Sequence, residues 1–188
     1  MDRRSLLRRA AAGLVLAACG PTSGTAASAR STSPNAAGGI STNNPTTPKA
    51  TKATVELAKG GSFSIALRPD KAPQTVERFA GKARGGFYNS LTFHRVEDWV
   101  VQGGDPQGDG RGGGRVPSEY NDLTFKTGAV GIARGQDPAF NNDSQFFIVK
   151  KDSSFLDTQY TNFGQLTSGM DVVSGITIGD KIKTITIE

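Results

Sequence analysis

The stretch TFHRVEDWVVQGGDPQGDGRGGG, Thr92 to Gly114, holds the chain's only histidine, its only tryptophan and seven of its 24 glycines. Apolar Phe93 leads into His94 and Arg95, and Gln102 follows the apolar run Trp99-Val100-Val101. Three readings compete for such a segment: a phosphate cradle, a metal loop, or one wall of a pocket that works through side chains alone. Gly108, Gly110 and Gly113 satisfy G-x-G-x-x-G, yet RVPSEY follows where a dinucleotide fingerprint needs an amphipathic helix. No Lys-Ser/Thr pair closes the run as a P-loop, and Asp105 and Asp109 would repel phosphates. A calcium loop fails because Gln107 stands where a short acid or amide is wanted. The glycines are expected to let a loop turn tightly and pass close to its neighbours.

The flanking sequence predicts a β-rich domain. KATVELA and SFSIALR alternate apolar and polar residues on either side of Lys59-Gly60-Gly61, a hairpin pattern. APQTVERFAGKARGG has a proline near its start, apolar residues at Val76, Phe79, Ala80 and Ala83, and paired glycines at its end, which predicts a helix. Short strands are expected at LTFHRV, WVVQGG, GAVGIA, QFFIVK and NFGQLT, a second short helix at MDVVSGI, and a closing strand at KIKTITIE. Many short strands with two isolated helices suggest an antiparallel barrel capped at its ends.

Several chemistries are excluded by residue supply. With one His and one Cys, and that Cys near the N-terminus, a Cys-His site cannot be built. No G-x-S-x-G elbow serves a His94 triad, and a zinc site would lack ligands, so neither metal nor cofactor is expected. What remains is a cationic donor, Arg95, an amide, Gln102, and large apolar side chains. The net charge of +5 invites a nucleic-acid partner, but all of it lies before Lys52, where Arg3, Arg4, Arg8, Arg9, Arg30 and Lys49 face a single acid, Asp2. From Lys52 onward 16 basic residues balance 16 acidic ones, leaving no basic stripe for a phosphate backbone.

The N-terminus reads as an address. MDRRSLLRR is a positive segment, and the nine apolar residues of AAAGLVLAA are far short of the ~20 a membrane span requires. LAAC resembles the bacterial lipobox, which implies cleavage after residue 18 and lipidation of Cys19; RRSLL resembles a twin-arginine export signal, with a general secretory route as the alternative. Residues 19–51, rich in Ser, Thr, Pro, Ala and Gly, cannot bury enough apolar surface to fold. They are expected to form a disordered tether on the order of 30 Å long. The folded domain is assigned to 52–188, on an extracytoplasmic protein whose only membrane contact is its lipid.

Taken with SQFFIVKKDSSFLDTQYTNFGQLTSGMDVV, the opening stretch resembles the cyclophilin family of peptidyl-prolyl isomerases. The likeness runs from about Ala53 to Ile187 through several motifs in family order. It implies a closed eight-stranded antiparallel barrel capped by two α-helices, and rotation about Xaa-Pro peptide bonds (EC 5.2.1.8) in proline-containing polypeptides. By motif, Arg95 falls on the catalytic arginine and Gln102 on the substrate-binding glutamine. Phe147 and Leu156 fall on the proline pocket, Trp99 and Val100 on places usually held by Phe and Met, and Ala133 and Gln145 on backbone-contacting positions. Phe155 replaces a Trp common in the family, which removes an indole donor and the expectation of strong cyclosporin binding. Tyr160 replaces a His.

The segment Val96-Glu97-Asp98 is one residue shorter than usual, which raises the question of where Trp99 lies. His94 is expected to be structural, hydrogen-bonded inside the barrel. Of Phe146 and Phe147, strand alternation sends one to the core and the other to the pocket, and family position assigns Phe147 to the pocket. Together with the N-terminal address, the resemblance implies an isomerase that assists folding of exported proteins, and nothing in the chain suggests more than a monomer. The alternative is a non-catalytic proline-binding module or chaperone on the same fold, and retention of Arg95, Gln102, Phe147 and Leu156 favours the enzyme.

Overall fold

The computed structural model describes residues 49–188, so the expected signal peptide, the lipidated Cys19 and all but the last three residues of the tether lie outside the described residues. The strands are β1 (Lys52–Leu57), β2 (Ser62–Leu67), β3 (Phe93–Val96), β4 (Val100–Gly103), β5 (Arg115–Pro117), β6 (Ala129–Arg134), β7 (Phe140–Val149), β8 (Asn162–Ser168) and β9 (Ile182–Ile187). Helix α1 spans Pro73–Arg84, α2 spans Met170–Ser174, and a 3-10 turn covers Ser154–Leu156. The strands form one antiparallel sheet in the order β3-β4-β7-β6-β8-β2-β1-β9, with β5 paired to β7.

The expected closed eight-stranded barrel is corrected in two respects. Among the described residues there are nine strands, because RVP pairs with the start of β7 as a short edge strand that tolerates Pro117. The sheet is also open. Its two ends, β3 and β9, meet at a single bridge, Thr92 with Lys181. Antiparallel register sets the start of one strand against the start of the other, so the hydrogen bonds of Leu91 and Phe93 fall on Gly179, Asp180 and Ile182 rather than on a continuous ladder.

Alternation explains the core. In β1 and β2, Ala53, Val55, Leu57, Phe63, Ile65 and Leu67 are buried while their neighbours are at least partly exposed. Helix α1 lays Val76, Phe79, Ala80 and Ala83 into the main core against the sheet. The Phe79 ring lies 5.3 Å from Tyr88 and Phe163, tilted to both, and meets Phe146 edge-on at 5.5 Å, one of the geometries aromatic pairs prefer. Burying each such side chain stabilises the fold by about 1.5–3 kcal/mol. Pro73 opens α1, where its missing N–H costs nothing, and Ala72 offers no side-chain cap. Glu119, from a distant loop, supplies the cap: its carboxylate accepts from the N–H groups of Gln74 and Thr75 and from the Thr75 hydroxyl.

Candidate active site

Phe146 and Phe147 diverge as alternation requires. Phe146 joins the main core, whereas Phe147 belongs to a second apolar cluster with Val100, Phe125, Ala129, Val149 and Leu156, against which Trp99 and Tyr160 pack. Phe147 stacks on Phe125 at 5.6 Å and meets Tyr160 edge-on at 5.7 Å. Gly131 makes this possible, since a Cβ there would lie 2.3 Å from the Phe147 ring and 2.8 Å from Phe125. Nothing in the sequence pattern distinguished Gly131 from any other glycine in a strand.

Register then sets the polar groups beside this cluster. Arg95 pairs with Gln102, Gln102 with Phe147, and Phe147 with Gly131, so one row of partners runs across β3, β4, β7 and β6. Directly opposed residues share a face of the sheet. The row opens on a groove of about 450 Å³ whose walls include Arg95, Trp99, Val100, Gln102, Ala133, Phe147, Leu156 and Tyr160. Of the ten residues the sequence singled out for substrate, eight meet here.

The other two stand apart. Phe155 is 66% exposed and lies outside the groove, its ring 5.2 Å from Trp99 and edge-on to it. Gln145 is buried and lines a neighbouring depression that shares Gln102, Gly110, Ala133 and Arg134 with the first. Its amide is fully employed within the protein. Nε2 donates to the carbonyls of Gly110 and Gly112, so Oε1 faces Gln102 and accepts from that residue's Nε2 at 2.9 Å. The Gln102 oxygen is thereby turned toward Arg95, whose Nη1 stands 3.5 Å away. The glycine loop thus orients the groove amide from behind.

His94 departs from expectation. The β3–β4 register slips between Phe93 and Arg95, making His94 the extra residue of a bulge. The bulge brings both His94 and Arg95 to the groove wall, where plain alternation would have separated them. Nδ1 of His94 is buried without a hydrogen-bond partner, so the residue is not the internally bonded histidine expected. Burial holds its pKa below the ordinary 6.5, against the pull of Asp105 and Asp109. Asp105, buried in the glycine loop, is pushed upward by desolvation. The N–H groups of Gln107, Gly110 and Asp109 outweigh that and keep its carboxyl below the usual range.

The shortened segment before Trp99 makes a tight reversal. Glu97 and Val100 exchange backbone hydrogen bonds across Asp98 and Trp99, at 2.8 and 3.4 Å. The Glu97 carboxylate accepts from Arg95 Nε at 2.7 Å and from the Trp99 indole at 2.9 Å, and the guanidinium lies 5.4 Å from the indole ring. Sequence reasoning treated Glu97 only as part of a deletion. It also missed Arg134, which lies over the Tyr160 ring at 4.8 Å and donates to the Gln159 carbonyl. Among the described residues no cluster of His, Cys, Asp or Glu is arranged to hold a metal ion.

An aromatic hollow sized for a small ring, with a fixed cation and amide along one side, defines an isomerase of the cyclophilin class. The comparisons narrow this further: the profile of the cyclophilin type peptidyl-prolyl cis-trans isomerase family matches residues 52–187, and the chain belongs to that family. It is 38% identical over 138 residues to peptidyl-prolyl cis-trans isomerase B of Bacillus subtilis (strain 168), spanning 70% of this chain and 94% of the relative. A probable peptidyl-prolyl cis-trans isomerase of Brucella suis is 39% identical over 138 residues, spanning 65% and 70%. The crystal structure of a Cryptosporidium parvum cyclophilin type peptidyl-prolyl cis-trans isomerase superposes with a TM-score of 0.67 at 25% identity, over 74% of this chain and 98% of that one. The same Cryptosporidium protein, solved in the presence of the dipeptide Ala-Pro, gives a TM-score of 0.66. The activity is peptidyl-prolyl cis-trans isomerisation.

Proposed function

We propose that the groove binds the proline ring of a polypeptide and that Arg95 is the group that catalyses rotation of the bond before it. The observation that carries this is the row Arg95-Gln102-Phe147-Gly131, which sets a cation, an amide and an aromatic floor side by side. A prolyl peptide bond is held by resonance behind a barrier of roughly 18–20 kcal/mol. Rotation needs no nucleophile or proton transfer; it needs the twisted amide to be bound better than either planar form. On twisting, the prolyl nitrogen regains its lone pair and becomes an acceptor. A guanidinium N–H donated there is felt mainly in the twisted state, and a charge-assisted bond of about 1.5–3 kcal/mol supplies on the order of 10- to 100-fold. Gln102 holds the carbonyl side, while Phe147, Leu156, Val100, Trp99, Ala133 and Tyr160 enclose the ring and exclude the water that favours the planar amide. Gln145 supports Gln102 from beneath, and Phe155 buttresses Trp99 from outside. The Ala-Pro dipeptide present with the Cryptosporidium relative supports proline-containing peptides as ligands here.

The wider role is read from the N-terminus. A lipid on Cys19 and a tether over 19–51 hold the domain outside the bacterial cell membrane as a monomer that assists folding of exported proteins. Two experiments test the whole reading. Exchange spectroscopy of an Ala-Pro peptide with the full chain should show fast catalysis that falls 10- to 100-fold or more in Arg95→Ala, with peptide binding retained. Undiminished catalysis in that variant would remove Arg95 from its role. Labelling cells with a fatty-acid analogue should mark the protein and place it in the membrane fraction, and Cys19→Ala should abolish both; persistence of either would refute the anchor.

A further inference from the structure

We infer that Glu97 is a positioning residue for isomerisation, holding Arg95 and Trp99 together in the orientation the groove uses. The inference rests on the reading of Arg95 given above. The Arg95 side chain is 44% exposed and stands on β3, at the end of the sheet path, where no further strand ladder packs beside it. An unsupported arginine of this kind samples many rotamers, and ordering it at each turnover would cost rate. Glu97 removes that freedom. One carboxylate oxygen takes Nε of Arg95 and the other takes the indole N–H, while the residue's own backbone is closed onto Val100 by the two-residue turn.

Which donors are used matters as much as how many. Of five guanidinium N–H bonds, one goes to Glu97 and one approaches Gln102. Among the described residues both hydrogens of Nη2 and the second of Nη1 take no other hydrogen-bond partner, and Arg95 lines the groove. Had the carboxylate taken the usual forked pair of terminal donors, it would have consumed those that must meet the prolyl nitrogen. The indole contact meanwhile fixes Trp99 as a wall after a turn one residue shorter than usual. An isolated exposed ion pair contributes little to stability. This carboxylate instead orders two groove residues at once, so its effect is expected in catalysis rather than in folding. The Arg95 hydrogen bond, aided by the indole, keeps Glu97 ionised to below the ordinary carboxylate pKa, so the clamp is intact near neutrality.

The test uses the full chain carrying Glu97→Ala, Glu97→Gln, Arg95→Ala or the double substitution Glu97→Ala/Arg95→Ala. Exchange rates of an Ala-Pro peptide are read across peptide concentrations, and Trp99 fluorescence is read alongside. Glu97→Ala should lower kcat about 3- to 10-fold, the effect of releasing one rotamer-rich side chain, with Tm changed by no more than a few degrees. Glu97→Gln, which keeps one acceptor oxygen, should fall between. Trp99 emission should shift and become more accessible to acrylamide in Glu97→Ala. In the Arg95→Ala background the further loss of Glu97 should lower kcat much less than it does in the unmutated chain, because only its hold on Trp99 is left. An unaltered kcat in Glu97→Ala, or an equal fall in both backgrounds, would overturn the inference while leaving Arg95 in place. Full activity in Arg95→Ala would instead overturn the reading beneath it.

Discussion

Gly131 and Gln145 stand behind the groove, one against the Phe147 ring and the other against the Gln102 amide. A methyl group at position 131 cannot coexist with the present Phe147 and Phe125 rings, so Gly131→Ala must tilt Phe147 into the groove or move β6. Overpacking of this kind costs about 1–3 kcal/mol. The expected outcome is a lower urea midpoint together with a raised KM for proline peptides, measured on one preparation. Gln145→Ala should act differently, since it deprives Gln102 of the acceptor that sets its amide orientation. Freed of that restraint, Gln102 can turn its NH2 toward Arg95, and kcat/KM should fall several-fold, roughly the effect of one lost hydrogen bond of about 1 kcal/mol. An unchanged kcat/KM in a correctly folded variant would place the orienting force elsewhere.

At the scale of elements, α1 depends on a residue that no local signal ties to it. Its N-terminus has Pro73 but no capping side chain of its own, and Glu119 supplies three acceptor contacts from a loop more than forty residues along the chain. Loss of a helix cap typically costs about 0.5–2 kcal/mol, and the negative charge also complements the helix dipole. Glu119→Ala should therefore lower stability by about 1–2 kcal/mol in denaturant titration, while leaving activity per folded molecule intact, because α1 lies on the core side of the sheet and the groove on the other. The glycine loop has the same dependence on a single carboxylate. Asp105 takes three backbone N–H groups, two of them on one oxygen. Asp105→Asn would turn an NH2 toward donors at one or other oxygen, and a loss of about 1–3 kcal/mol is expected.

Across the whole molecule the titrating groups predict acid sensitivity. Asp105, Asp152 and Asp180 have folded pKa values below the ordinary 3.8. In each the stabilisation is complete above the unfolded value and is lost as pH falls through the folded one. His94 works in the same direction: its folded pKa lies below 6.5, so the unfolded chain binds the extra proton first and stability declines once pH drops under about 6.5. Tm should be flat from pH 7 to 8, decline gently below 6.5 and steeply below 4. Replacing His94 with Gln should flatten the gentle part alone. A Tm that rose between pH 7 and 5 would contradict the sign of these shifts.

How much of this was legible in the chain varied with the kind of signal. Period-two alternation marked β1 and β2, because burial of one face is a local demand on every second residue; in β7, whose second half is buried on both faces, it said only that Phe146 and Phe147 part. The spacing of Val76, Phe79, Ala80 and Ala83 marked α1 for the same reason. Motif order supplied Arg95, Gln102, Phe147 and Leu156 as groove residues. It could not supply the bulge at His94, which arises from a register slip between two strands and leaves no trace in either one alone. Nor could it supply Glu119 on α1, or the opening between β3 and β9, since each depends on where distant backbone comes to rest. The roles of Glu97 and Gln145 belong with these. Sequence by itself determined which side chains were available and which face of each element was apolar, because those follow from residue type and local periodicity. Only the tertiary structure decided which polar groups pair, since a hydrogen bond is set by distances of a few tenths of an ångström between segments the chain leaves far apart.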